Sequence, residues 1–132
     1  MTQVIDREQA VALLERVLEE RGEGFSYTPR EVDPVNEKYG SCVYEFEGAP
    51  DCGIGLALSY LGVSTDDLAE LDRQGIEGDE TAITNFPVTN YLEHKCGITF
   101  DQGAFVLFSE FQVWQDLGKP YGEAIRLALQ AQ

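Results

Sequence analysis

Four side chains carry most of the chemistry this chain could do: Cys42, Cys52, His94 and Cys96. Together they form a Cys₃His set, which zinc accepts as a tetrahedral site. Their spacing departs from the familiar zinc knuckles: nine residues lie between Cys42 and Cys52, and Lys95 alone separates His94 from Cys96. The same residues are the candidates for a thiol nucleophile served by an imidazole base, a pair that must sit within hydrogen-bond reach. At i, i+2 on a helix, His94 and Cys96 point apart, so any such pair has to be made by the fold through Cys42 or Cys52. The plainer reading is a half-exposed histidine at a helix end and thiols packed as small apolar groups. We therefore expect no catalytic residues and no cofactor. A Cys/His metal protein or small enzyme using Cys42, Cys52, His94 and Cys96 stands as the alternative. Three cysteines is an odd and low number for a disulfide framework, and reads as reduced thiols in a cytoplasmic protein.

The other notable chemistry is negative charge. The 132 residues hold 24 acidic and 9 basic side chains, a formal net charge of −15. From Glu31 to Glu80 there are thirteen acids and two bases, and from Asp66 to Glu80 seven acids and one base. Asp66, Asp67, Glu70, Asp72, Glu77, Asp79 and Glu80 are the candidate partner-binding face. They do not follow the alternating loop with a closing glutamate that calcium requires. A solvated acidic surface is the plainer account, and a contact surface for a basic protein is the functional one. The charge excludes direct nucleic-acid binding, which needs clustered lysine and arginine, and docking on anionic lipid. Gly53-Ile54-Gly55 lacks the third glycine and the following lysine of a phosphate cradle. The first residues have no apolar core, so no signal peptide is expected. The longest apolar stretch, Gly53 to Val63, is too short to span a bilayer, which takes about 20 residues.

These groups must be positioned by a single globular domain over residues 1–132, with a 43% hydrophobic composition sufficient for its own core. Asp6 and Gln9 have capping-box spacing before a helix to Arg21, with Val11, Leu14, Val17 and Leu18 inward. Ser41 to Glu47 alternates, with Cys42, Tyr44 and Phe46 on one face, and predicts a half-buried strand. Its partner would come from near Tyr27 or from Tyr39 to Ser41. Asp51 or Cys52 opens a helix to about Leu61, whose Gly53, Gly55 and Ala57 allow another backbone to approach closely. Ser64 with Asp67 starts a helix to about Arg73. Gln74 to Thr84 reads as a loop, and Asn85 to Lys95 as a helix stopped by Gly97. Asp101 or Thr99 caps a long aromatic helix to Leu117, and a last helix runs from Tyr121 to Leu129. The fold class is α+β: a mainly helical domain of about five helices with a small β-hairpin or short antiparallel sheet near residues 25–47. Phe105 or Val113 on the aromatic helix offers a surface for a homodimer, and a structural homo-oligomer is a further alternative.

Two blocks carry a resemblance. Cys52-Gly53-Ile54-Gly55-Leu56-Ala57-Leu58 with Leu61-Gly62-Val63, and Gln112, Gln115-Asp116-Leu117-Gly118 with Tyr121-Gly122-Glu123-Ala124, are similar to stretches of small uncharacterised proteins of actinobacterial phages and their hosts. Gly53 and Leu56 depart from the pattern, which favours an aliphatic and a polar residue there. The resemblance implies a phage or prophage setting and a cytoplasmic address in the host cell, and it brings no catalytic residue. Structurally, Cys52 and Gly55 would be small packing positions, and Asp116 would cap the amides of Tyr121 or Gly122. Taken together, the sequence predicts a non-enzymatic, acidic accessory protein of phage type that binds and modulates a basic host protein.

Overall fold

The computed structural model describes residues 2–28, 30–31, 40–41, 43–77 and 86–131, with the backbone alone for 30–31, 40–41, 75–77 and 86. The architecture is mainly helical α+β. In chain order the elements are β1 (Gln3–Ile5), α1 (Arg7–Arg21), β2 (Arg30–Glu31), β3 (Gly40–Ser41), β4 (Glu45–Phe46), β5 (Ala49–Pro50), α2 (Gly53–Tyr60), α3 (Thr65–Glu77) and α4 (Phe86–Tyr91). A five-residue π-helical segment (Leu92–Cys96), β6 (Ile98–Phe100), α5 (Gln102–Asp116) and α6 (Tyr121–Leu129) complete it.

Local chemistry sets most of the helix ends. Asp6 accepts from the Gln9 amide at 2.8 Å while the Gln9 side chain accepts from the Asp6 amide at 3.0 Å, closing the capping box of α1. Asp101 accepts from the Ala104 amide at the start of α5, and the Ser64 hydroxyl accepts from the Asp67 amide at the start of α3. Gly97, at φ 70°, ends the π segment in the left-handed region that glycine adopts without strain. Helix α1 lies against α2 and α5, and α5 against α6. One contiguous core runs through them, with Leu14, Ile54, Leu58, Phe108, Phe111 and Tyr121 fully buried. No helix among the described residues is long and apolar enough to cross a membrane.

The small hairpin expected near residues 25–47 is β2–β3, with Arg30 opposite Ser41 and Glu31 opposite Gly40. The continuous strand from Ser41 to Glu47 is not what forms. Val43 and Tyr44 are both buried and Phe46 is 41% exposed, so the alternation breaks where the chain leaves β3. Cys42 lies outside the described residues. A second hairpin, β4–β5, pairs Glu45 with Pro50 and Phe46 with Ala49. Its turn residues, Glu47 (φ 53°) and Gly48 (φ 81°), both have positive φ, as a tight two-residue hairpin turn requires. Helix α3 continues past Arg73 to Glu77, and residues 78–84 of the expected loop lie outside the described residues. The expected helix from Asn85 divides into α4 and the π segment. The parallel pair β1–β6 has no counterpart in the pattern-based reading.

Candidate functional site

The Cys/His set does not assemble among the described residues. Cys52 is disulfide-bonded, which corrects the expectation of reduced thiols for that residue and removes its sulfur as a thiolate ligand. It is fully buried as the N-cap of α2, where its sulfur also accepts from the Gly55 amide. Cys96 is free and half-buried. Burial, the nearby Asp67 carboxylate and a hydrogen bond to it push the Cys96 thiol up to about 11, so it stays protonated and weakly nucleophilic at neutral pH. His94 is exposed. No group of three or more His, Cys, Asp or Glu side chains among the described residues is placed to hold a metal ion.

The acidic candidates separate into different roles. Asp66 is exposed at the start of α3. Asp67 is turned to internal contacts: it accepts from the Tyr91 hydroxyl at 2.8 Å and meets the Ser64 hydroxyl at 3.2 Å. That hydrogen bond, with burial, pushes the Tyr91 phenol up to about 12. Glu70 is bridged by Arg73 and Gln74, whose hydrogen bonds lower its carboxyl pKa. Asp72 faces inward, accepting from the amides of Tyr44 (2.7 Å) and Glu45 (3.1 Å) and so fastening β4 to α3. Of Glu77 the backbone alone is described, and Asp79 and Glu80 lie outside the described residues.

Asp72 should make stability depend on pH. Burial pushes its carboxyl up to about 7, against the pull of the two amides, with the charges of Glu45 and Asp51 adding to the rise. A folded-state value above the unfolded one means that the folded chain holds the extra proton. The resulting stabilisation is complete below about pH 4 and is lost as pH rises to about 7. We expect a decline on the order of 3 kcal/mol across that window from this group. Urea unfolding at pH 4, 5.5 and 7.5 measures it, and Asp72→Asn should flatten the decline by most of that amount. An equal decline in the variant would assign the effect to other carboxylates.

Outward charge comes from a wider set of residues. Glu8, Glu15 and Glu19 are exposed at i, i+7 and i+11 of α1 and form one outer stripe. That spacing is legible in the sequence, where the denser acidic run at 66–80 overshadows it. Most of the described cations are drawn inward or onto neighbours. Arg7 donates to the Leu129 carbonyl, Arg16 lies over the Tyr60 ring at 3.9 Å, and Arg21 donates to the carbonyls of Pro50 and Asp51. Arg73, Lys119 and Arg126 pair with Glu70, Glu123 and Glu23. Glu8, Glu15, Glu19, Glu47, Asp66 and Glu93 have no cationic partner among the described residues.

The two blocks behind the sequence resemblance meet in the interior. The fully buried Gln115 Oε1 accepts from the Gly53 amide at 2.7 Å and from the Tyr121 hydroxyl at 2.6 Å. Its amide nitrogen donates to Asp116 at 3.1 Å. Asp116 therefore orients Gln115 and does not cap α6. The carbonyls of Phe25 and Glu23 receive the Tyr121 and Gly122 amides, at 2.7 and 3.0 Å. Close by, the Tyr27 hydroxyl donates to Asp51 at 2.7 Å and accepts from the Val43 amide. This network holds α2, α5 and α6 together, with its donors and acceptors turned to one another. On α5, Phe108 and Phe111 face the core, while Val113, and Leu117 just past the helix end, are exposed. Comparison with protein-family models, curated proteins and solved structures gave no match.

Proposed function

We propose that this chain is a non-enzymatic acidic accessory protein that acts by binding a basic protein, as an inhibitor or modulator. The observation that carries this reading is the asymmetry of charge commitment. Most of the described cations are engaged with carbonyls, a ring and three carboxylates, while the exposed α1 stripe of Glu8, Glu15 and Glu19 has no cationic partner among the described residues. Such a field attracts a positively charged partner over distances of about a Debye length, roughly 8 Å at physiological salt. The state of the described Cys/His residues supports binding over thiol chemistry, because Cys52 is oxidised and Cys96 is held protonated. A phage setting, with a host protein as the partner, is part of the proposal and rests on the sequence resemblance alone.

Affinity capture from bacterial lysate tests the reading, with the wild type beside a Glu8→Gln/Glu15→Gln/Glu19→Gln variant of equal stability. Basic proteins should be retained at low salt, released as sodium chloride rises towards about 0.5 M, and retained several-fold less by the variant. Retention that ignores both salt and the three substitutions would contradict it.

A further inference from the structure

Strands β1 and β6 run parallel, with Gln3, Val4 and Ile5 opposite Ile98, Thr99 and Phe100. The Gln3 amide donates to the Gly97 carbonyl at 2.7 Å, and the Asp101 amide donates to the Ile5 carbonyl at 2.9 Å. Bonding residues alternate along such a ladder. The residues that bond to β1 are thus Thr99 of β6 and its flanking neighbours Gly97 and Asp101. The amides and carbonyls of Ile98 and Phe100 point to the opposite edge, and they make no backbone hydrogen bond elsewhere among the described residues. Ile98 is nonetheless 3% exposed, and buried backbone groups ordinarily have partners.

Beside that edge lies a cleft of about 290 Å³. Ile98, Thr99 and Phe100 all line it. Strand side chains alternate between faces, so a cleft on one face would meet every second residue. One that meets three in a row runs along the edge. Leu92 and Phe105 form apolar walls, and Glu93 is the one charged side chain among the described lining residues. Glu93 is exposed and has no cationic partner among them.

We infer that this cleft accepts an extended segment of the partner protein as a third strand beside β6. The incoming backbone would pair with Ile98 and Phe100, and a lysine or arginine of the segment would meet Glu93. The choice of a basic segment rests on the binding reading above and on the charge of −15. The added strand would complete a ladder that the described residues leave open on the buried side of β6.

The probe is the peptide acetyl-Lys-Val-Lys-Val-Thr-Val-Lys-amide, followed by amide hydrogen exchange and NMR on the full chain. In the free protein the Thr99 amide should be protected while those of Ile98 and Phe100 exchange faster. Saturating peptide should slow Ile98 and Phe100 about tenfold and leave Thr99 nearly unchanged. A peptide of the same charge with alternate amides N-methylated should bind at least about tenfold more weakly, because ladder donors are lost while electrostatics are kept. Asn90→Trp, which places a large ring at the cleft without altering net charge, should abolish peptide protection and lower lysate capture, whereas Glu8→Gln/Glu15→Gln/Glu19→Gln should lower capture and leave peptide protection nearly unchanged. Wild-type protein that binds the peptide yet captures no basic protein from lysate would refute the general reading and spare the cleft. Equal binding of the N-methylated peptide, or Ile98 and Phe100 amides already protected in a self-associated protein, would overturn the inference.

Discussion

Gly55→Ala is expected to lower stability by about 3 kcal/mol or more, or to prevent folding. A methyl group at Gly55 would sit 2.3 Å from the Tyr44 carbonyl oxygen and 3.0 Å from the Tyr44 Cα. Those are backbone atoms of a buried segment pinned on several sides: the Tyr44 amide by Asp72, the Tyr44 carbonyl by the Asp51 amide, and the Val43 carbonyl by the Cys52 amide. Neither side can yield without breaking hydrogen bonds, so α2 would have to move off the 43–46 segment as a unit. Gly24→Ala is the matched control, because a methyl there meets nothing within 4 Å and the φ is not positive. Thermal unfolding should show a drop of roughly 10 °C for Gly55→Ala and less than about 2 °C for Gly24→Ala. Similar small changes in both would mean that α2 and the 43–46 segment are not in close contact.

The second large effect is expected at Gln115. Gln115→Leu keeps much of the side-chain volume but removes the acceptor that serves both the Gly53 amide and the Tyr121 hydroxyl. Two polar groups would then be left buried without that partner, at about 2–4 kcal/mol in total. Tyr121→Phe should cost less, about 1 kcal/mol, because Gln115 retains Gly53. The double variant should cost less than the sum of the two by about 1 kcal/mol, since the leucine cannot orphan a hydroxyl that is already absent. Denaturant unfolding of the four proteins supplies this cycle. Strict additivity would show that Gln115 and Tyr121 do not act together.

What could be read from the sequence follows the range of the interactions. The Asp6–Gln9 box, the Asp101 cap and the extent of α6 depend on residues within a turn of each other, and these were legible. Gly53 and Gly55 were legible as sites of close approach, although what approaches, the Phe111 ring and the Tyr44 carbonyl, comes from distant segments. The β1–β6 ladder was not legible: three residues of Gln3–Ile5 carry too little alternation to announce a strand, and the partner lies almost the whole chain away. Gln115 and Asp116 were visible as a polar pair beside an apolar helix face. Which one faces inward is decided by the helix rotation that buries Phe108 and Phe111. The acidic candidates show the same limit. Composition marked Asp66, Asp67, Glu70 and Asp72 alike, and tertiary contacts then left Asp66 outward, tied Asp67 and Glu70 to neighbours, and set Asp72 under the Tyr44 and Glu45 amides.

On the proposed reading, the protein is a rigid helical scaffold whose outward carboxylates draw in a basic partner. The sharpest test is the association rate constant with the basic protein most strongly retained in the capture experiment, followed by stopped-flow fluorescence from about 20 to about 300 mM sodium chloride. Electrostatic attraction predicts a rate that falls by about tenfold or more over that range, with dissociation changing far less. An association rate indifferent to salt would contradict the central claim.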